Sequence, residues 1–237
     1  HAVSGAPYAL AAAGGRLYAA GSFTAIDGYA RGNLAAFSLA TDALEGWRPN
    51  ADDSVHALAI HGSRIYLGGS FHQVNGVRRT LRIAAVTAGG TVDTGFRPTS
   101  TAQVNTLVAD DTGVYGVTGG QGGRALAWTA GGSLRWQRVF DGDAVALTRL
   151  GGVTYVGGHF DRACLTPANG AQGTCTGGSV PRVKLAAIDA TGKLTSWAPQ
   201  ANGVIGVRAM TVSGASLAAG GDFTTVGGRP RKRLALF

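Results

Sequence analysis

The chain has almost no Glu and almost no Lys. Of 237 residues one is Glu and three are Lys, charged residues make up 14%, and 13 acidic against 21 basic groups leave a formal charge of +8. The shortage of acid bears first on catalysis. Glycoside hydrolysis needs two carboxylates across the scissile bond, one of them protonated. The single Glu, Glu45, lies beside Trp47, and the segments 8–13, 55–60, 104–109, 145–150 and 207–212 hold no carboxylate at all. Asp143, Asp161 and Asp222 are acid candidates only if the fold brings two of them together. No G-x-S-x-G elbow supports a Ser–His–Asp hydrolase either. A protein that binds without catalysing is expected, with a glycoside hydrolase ranked well behind.

The other shortages narrow the partners. The positive charge is Arg scattered along the chain, not a Lys/Arg block interleaved with aromatics, so nucleic acid is not expected; a basic balance favours acidic partners only in a general way. No apolar run approaches the roughly 18–20 residues that span a bilayer. The two cysteines, Cys164 and Cys175, have no Cys or His at ligand spacing, which makes a poor zinc site; within one irregular loop they read as a local disulfide of a secreted protein. The five His include no HxH pair. His1 pairs its imidazole with a free amine in a copper-chelating arrangement, but it reads better as the start of a mature or trimmed chain. No metal and no cofactor are expected.

What is abundant is Gly, 39 residues, which suits tight turns and short strands. The Gly recur in copies of one stretch: Arg64–Gly76 (RIYLGGSFHQVNG), Arg16–Gly28 (RLYAAGSFTAIDG), Thr154–Phe160 (TYVGGHF) and Ser216–Gly227 (SLAAGGDFTTVG). Each copy belongs to a unit with four signals. A first strand ends in a large aliphatic anchor (Leu10, Leu58, Leu107, Leu147, Met210), and a second carries Tyr18, Tyr66, Tyr115, Tyr155 or Leu217. A third reads Leu34–Phe37, Ile83–Val86, Leu126–Trp128, Leu185–Ile188 or Leu234–Phe237, and a fourth is marked by Trp47-Arg-Pro49, Phe96-Arg-Pro98, Trp136 or Trp197-Ala-Pro199. The anchors lie 48, 49, 40 and 63 residues apart. Four short strands per unit of about 40–50 residues predict an all-β, five-bladed β-propeller with four-stranded blades. It is expected to be one domain over residues 1–237, with blades near 1–50, 51–100, 101–140, 141–200 and 201–237.

The irregularities carry information too. From Phe160 to Leu185 there are 25 steps, against 11 or 12 in units one, two and five, so unit four carries an insertion, and both cysteines lie in it. Gly119–Gly123 replaces the GGxF signature in unit three. The sequence reaches Phe237 after the third strand of the last blade, which is therefore three-stranded unless a segment upstream of His1, or residues 1–6 in another register, supplies the fourth. An edge left open there is an aggregation liability.

The GGxF-T-x-V-x-G run, the following R-x-x-L-A and the terminal W-x-P resemble the delta-60 repeat family of bacterial β-propellers. The matching residues are Gly21–Thr24, Gly68–Phe71, Gly157–Phe160 and Gly220–Thr224, with the Trp/Phe-x-Pro tripeptides above. The resemblance implies a secreted or surface location and a propeller fold more than any activity. Unit three departs from the pattern, so five equivalent sites are not implied.

Three sets of residues are candidates for ligand binding. The first lies two positions before each anchor, Tyr8, His56, Asn105, Val145 and Arg208, where the innermost strands of a propeller ring its channel. Mixed polar groups there suit a small ligand, or merely solvate a rim. The second flanks the GGxF phenylalanine: Ser22 and Thr24, Ser70 and His72, His159 and Asp161, Asp222 and Thr224. Short polar groups on such turns suit sugar hydroxyls and weak multivalent binding; equally, they satisfy turn backbone. The third is an Arg rim before the third strands, Arg31, Arg79, Arg124, Arg182 and Arg231, suited to bidentate grip on carboxylate, sulfate or phosphate or to hydrogen-bonding nearby carbonyls. Carbohydrate or cell-surface glycan is the leading ligand class. A protein-interaction scaffold within a larger secreted assembly is the alternative.

Overall fold

The computed structural model describes residues 1–120 and 122–237; Gln121, at the centre of the Gly119–Gly123 stretch, lies outside them. The described residues are all-β, in antiparallel sheets with one 3-10 turn at Ala171–Gly173 and no α-helix. The chain divides into two compact units, His1–Val114 with Trp128–Leu134, and Tyr115–Ala127 with Arg135–Phe237.

In the first unit β1 (Val3–Ala13) and β2 (Arg16–Ile26) pair along their whole length, from Val3↔Ile26 to Ala13↔Arg16. Gly14 and Gly15, at φ +58° and +76°, make the two-residue turn between them, a left-handed pair that side chains disfavour. Val3–Pro7 pair with Gly21–Ile26, so the start of the chain belongs to the sheet of the first repeat. β3 (Tyr29–Ala30) and β4 (Leu34–Ser38) both pair with β2. A second sheet is formed by β5 (Val55–His61), β6 (Arg64–Gly69) and β7 (Ile83–Thr87), and β8 (Val104–Asp110) follows. Tyr18, Ala20, Leu34 and Ala36 of the first sheet pack on Val55, Leu58 and Ile60 of the second, so the apolar positions of the repeat are its sheet-to-sheet faces.

β9 (Gly113–Thr118) spans the boundary between the units. In the second unit β10 (Arg124–Trp128) lies between β9 and β11 (Leu134–Val139). Next comes a sheet led by β12 (Ala144–Leu150) and β13 (Val153–Gly158). Then the insertion forms its own hairpin, β14 (Arg162–Cys164) with β15 (Ser179–Pro181), and the Cys164–Cys175 disulfide closes it. β16 (Leu185–Ile188) completes the sheet. The last sheet is β17 (Val207–Ser213), β18 (Ser216–Gly221) and β21 (Leu234–Leu236), with the small hairpin of β19 (Thr225–Val226) and β20 (Arg229–Pro230) between the last two.

The expected fourth strands need correction. Among the described residues only Leu134–Val139 forms a regular one; elsewhere the outer segment is reduced to the single bridges Phe37↔Leu44, Val86↔Val92 and Ile188↔Leu194. The proline of the W-x-P tripeptide explains this, since it cannot donate to a ladder. Pro49, Pro98 and Pro199 end the pairing, whereas the third unit has Arg138 at that place and makes six residues of strand. The marker aromatics serve as packing locks instead. Tyr18 meets Trp47 edge-on at 5.0 Å, Tyr66 meets Phe96 at 5.1 Å and Tyr155 meets Trp197 at 5.1 Å.

Candidate functional site

The turns that end the second strands are built largely from backbone. A Cβ on the second glycine of the pair would lie 2.1 Å from the Ser54 carbonyl oxygen at Gly69, 2.1 Å from that of Asp143 at Gly158 and 1.8 Å from that of Gly206 at Gly221. The chain entering each sheet therefore runs against its own turn. A side chain from that entering segment then ties the turn down. Asp52 Oδ1 accepts from the N–H groups of His72 (2.7 Å) and Gln73 (3.0 Å), and Asp141 Oδ1 from those of Asp161 and Arg162 (2.9 Å each). Asn202 Oδ1 does the same for Thr224 (2.8 Å) and Thr225 (2.9 Å). On the far side, Asn33, Arg82, Lys184 and Arg233 take left-handed backbone at φ +66°, +61°, +64° and +66°. Their N–H groups donate to the carbonyls of Phe23, Phe71, Phe160 and Phe223, while their own carbonyls accept from Gly21, Gly69, Gly158 and Gly221. Neither set was singled out in the sequence. The signal that would have found the first is an acid six residues before the anchor, as in Asp52–Leu58 and Asp141–Leu147.

The side chains flanking the phenylalanine are split between structure and solvent. Ile205 N–H at 3.0 Å and Gly206 N–H at 2.6 Å both donate to Asp222, and these bonds, Ile205 first, hold its carboxyl below the ordinary range. Asp161 accepts from the Lys184 ammonium at 2.8 Å. Thr224 Oγ1 accepts from Asn202, and the Thr24 carbonyl from Arg31 N–H. His72 and His159 are exposed and Ser22 is half-buried. Ser70 Oγ donates to Gln103 Oε1 at 2.8 Å, which links it to the first candidate set.

That set is partly assembled in the first unit. The Tyr8 and His56 rings stack at 5.0 Å with planes 2° apart, and half of Tyr8 is exposed. Gln103 Nε2 donates to Asn105 Oδ1 at 2.9 Å, so Ser70, Gln103 and Asn105 form one polar run. Asp53 lies close enough to His56 and His72 for both imidazoles to depress its pKa, though the larger cause is the Ser54 N–H donating to it at 2.6 Å. Burial pushes the His56 imidazole below its ordinary value, against the opposing pull of Asp53. An aromatic face, an amide, a hydroxyl and a carboxylate thus converge around the start of β5. Val145 and Arg208 belong to the second unit.

The Arg set divides sharply. Arg31 donates to the carbonyls of Ala30 and Glu45 at 2.9 Å each, and Arg182 to those of Pro181 (2.7 Å) and Thr195 (2.8 Å). Arg231 holds the Pro230 carbonyl, and Arg124 the Gly122 carbonyl and Asn169. Arg79 does none of this. Among the described residues it has no hydrogen-bond or ion-pair partner, and with Arg97, Leu81 and Pro98 it lines an open groove of about 410 Å³ in the first unit.

Other candidates are occupied. Glu45, the only Glu, pairs with Arg16 at 2.6 Å, as Asp93 does with Arg64. His1 gives one ring nitrogen to Asp27 and the other to the Asp42 carbonyl, with its ring 4.5 Å from Phe37. Among the described residues no group of three or more His, Cys, Asp or Glu is placed to hold a metal, and no helix is long and apolar enough to cross a membrane.

Comparison with known proteins adds a fold. The family model described as a domain of unknown function (DUF5122) β-propeller matches residues 63–96, which hold β6 and β7. The computationally designed Ika8 protein is similar at 13% identity and a TM-score of 0.59, over 94% of this chain and 60% of that one. The extracellular domain of a putative hybrid two-component system from B. thetaiotaomicron is similar at 12% identity and TM-score 0.56, over 97% and 27% respectively. A nidogen/laminin complex contains a chain similar at 14% identity and TM-score 0.51, over 87% and 67%. The chain therefore spans about three fifths of the designed protein and about a quarter of the two-component protein. No curated protein matches it. The chain is a β-propeller domain.

Proposed function

We propose that this domain is a secreted, non-enzymatic glycan-binding propeller of the delta-60 type, with its five repeats as blades of one domain. The Tyr8–His56 stack beside Asn105, Gln103 and Ser70 carries the reading. A half-exposed aromatic face receives the apolar side of a pyranose, and amide and hydroxyl groups at its edge take the ring hydroxyls. Two further observations support it. The carboxylates that might have served catalysis hold backbone or side-chain donors instead: Asp143 accepts from Gly120 N–H, Asp161 from Lys184 and Asp222 from Gly206 N–H. The Cys164–Cys175 disulfide fits an oxidising, extracellular setting. The unpartnered Arg79, in its groove with Arg97, offers a second and separate site, suited to an acidic sugar.

The test is a glycan array probed with the purified chain, with neutral and acidic polysaccharides, at low and high salt, alongside Y8A and R79A. Binding lost in Y8A at both salt levels is the expected result. Binding lost only in R79A, and in wild type at high salt, would move the site to the Arg groove. No binding to any glycan would overturn the reading in favour of a protein-interaction scaffold.

A further inference from the structure

The Arg79 groove has a counterpart in the first repeat. There Tyr29, Arg31, Leu44, Glu45, Gly46 and Arg48 line an open cleft of about 370 Å³. In the second repeat Val77, Arg79, Val92, Asp93, Thr94 and Arg97 are among the residues lining a cleft of about 150 Å³. Taken in order, the first five pairs lie 48 positions apart and the last pair 49, the period of the repeat. The match is structural as well. Leu44 and Val92 make the single bridges to the third strands, and Glu45 and Asp93 pair with Arg16 and Arg64, each at 2.6 Å. A second cleft adjoins each of these and shares its two arginines. In the second repeat it is the groove of about 410 Å³ that holds Thr99 and Ser100; in the first it is about 480 Å³ and holds Asn50 and Ala51 at the same places. Each repeat thus presents two adjoining clefts around an arginine pair, Arg31 with Arg48 and Arg79 with Arg97.

Each pair leaves positive charge for a ligand. In the first repeat Arg31 is spent on carbonyls, but Arg48 is exposed and, like Arg79, has no hydrogen-bond or ion-pair partner among the described residues. Arg97 is exposed too, and its Nε donates to the Thr94 carbonyl at 2.7 Å. The acids that line these clefts are engaged elsewhere: Glu45 and Asp93 in their ion pairs, and Asp52 with the N–H groups of His72 and Gln73. All these residues belong to the first unit. The third and fourth repeats lack the second arginine, since Gln137 follows Trp136 and Ala198 follows Trp197.

We propose that the two cleft pairs are successive subsites for one acidic polysaccharide, a chain that carries carboxylate or sulfate at regular intervals. The proposal rests on the glycan-binding reading above but not on the Tyr8–His56 stack. A guanidinium grips either anion through two parallel N–H groups. The occupant is a polymer because the sites recur with the repeat. Sheets packed face to face lie about 10 Å apart, so an anionic monomer fills one subsite and only a longer ligand reaches both. Its second contact is then intramolecular, and two weak sites act as one stronger site.

Calorimetric titration with galacturonate oligomers from the monomer to about twelve residues, and with dextran sulfate fragments of matched length, tests this. Affinity should rise at least about tenfold once the oligomer spans both subsites, and then level off. The series with the larger rise identifies the anion. R48A and R97A should each remove the rise, leaving long oligomers bound about as weakly as short ones. R48K and R97K keep the charge but lose the fork, and should remove most of it. K193A deletes one exposed charge from the second unit and should leave the rise intact, as should Y8A. Arg48 and Arg97 are exposed, so their variants should fold, as circular dichroism will check. An affinity that does not rise with length, a rise that survives R48A and R97A, or one that lysine restores in full would each overturn the proposal. In each of those cases Y8A-sensitive binding of neutral glycans would leave the glycan reading standing. No binding to any glycan would overturn both.

Discussion

The second and fourth repeats make the same journey, from the GGxF turn to the third strand, and use the same residue type differently on the way. In the fourth, Arg182 lies three residues before Leu185 and clamps two carbonyls. In the first, Arg31 stands three before Leu34 and does likewise. In the second, Arg79 stands four before Ile83. One extra residue puts Thr80 at the clamp position, where its buried hydroxyl accepts from Val74 N–H at 2.9 Å and donates to the Val77 carbonyl at 2.8 Å. Arg79 is thereby displaced into the groove. A guanidinium that is structural in one repeat becomes available to a ligand in another through a single register step.

The largest difference between the two repeats is the staple, so removing it should have the largest effect. The double variant C164S/C175S should lose up to about 3 kcal/mol, the loop-entropy value for so short a loop, measured by chemical denaturation. A loss near zero would mean that the β14–β15 hairpin holds the insertion unaided. Next in size is the clamp. R182A leaves two carbonyls without a charged donor and should cost about 2 kcal/mol, while R79A should stay within about 0.5 kcal/mol. Equal costs for the two would break the distinction drawn between them. T80V tests the substitute clamp. It strands Val74 N–H and the Val77 carbonyl, and should cost about 1–2 kcal/mol by denaturation; a neutral T80V would show that the second repeat needs no closure at that point.

Much of this was readable beforehand because repetition marks it. The Gly-Gly-x-Phe turns, the anchors and the Tyr–Trp locks recur at fixed offsets, and each becomes a recurring contact. Even the shortened outer strands were legible in Pro49, Pro98 and Pro199, had their missing N–H been weighed against the strand reading. What was not legible depends on the third dimension. Asp52, Asp141 and Asn202 look like ordinary loop residues until their side-chain Oδ1 atoms are seen facing two N–H groups each. Arg82, Lys184 and Arg233 look like ordinary basic residues, yet they share a left-handed backbone with Asn33. Their charge is incidental to that, and Lys184 is almost wholly buried against Asp161. The Arg rim was read as one set because one-residue offsets look trivial in a sequence. In a strand return they decide which carbonyls a side chain can reach.

The smallest effect concerns the position two before the anchor, where the second repeat has His56 and the fourth has Val145. Burial holds the folded His56 below its ordinary pKa, with Tyr8 stacked on one face and Asp53 pulling the other way. The folded state therefore binds this proton less readily than the unfolded chain does. The stability His56 contributes is present above the ordinary His range near pH 6.5 and is lost as pH falls through the depressed folded value. Asp53 has a lowered pKa too, but its contribution is lost only lower, as pH falls through the carboxylate range. The two windows are thus separable. H56V gives the second repeat the fourth's residue, and its melting temperature should be flatter than wild type between about pH 7.5 and about pH 5. Both chains should fall together below that. If H56V falls as steeply as wild type in the upper window, the Tyr8–His56 stack accepts the imidazolium at no cost, and a ligand bound there should bind equally well at either pH.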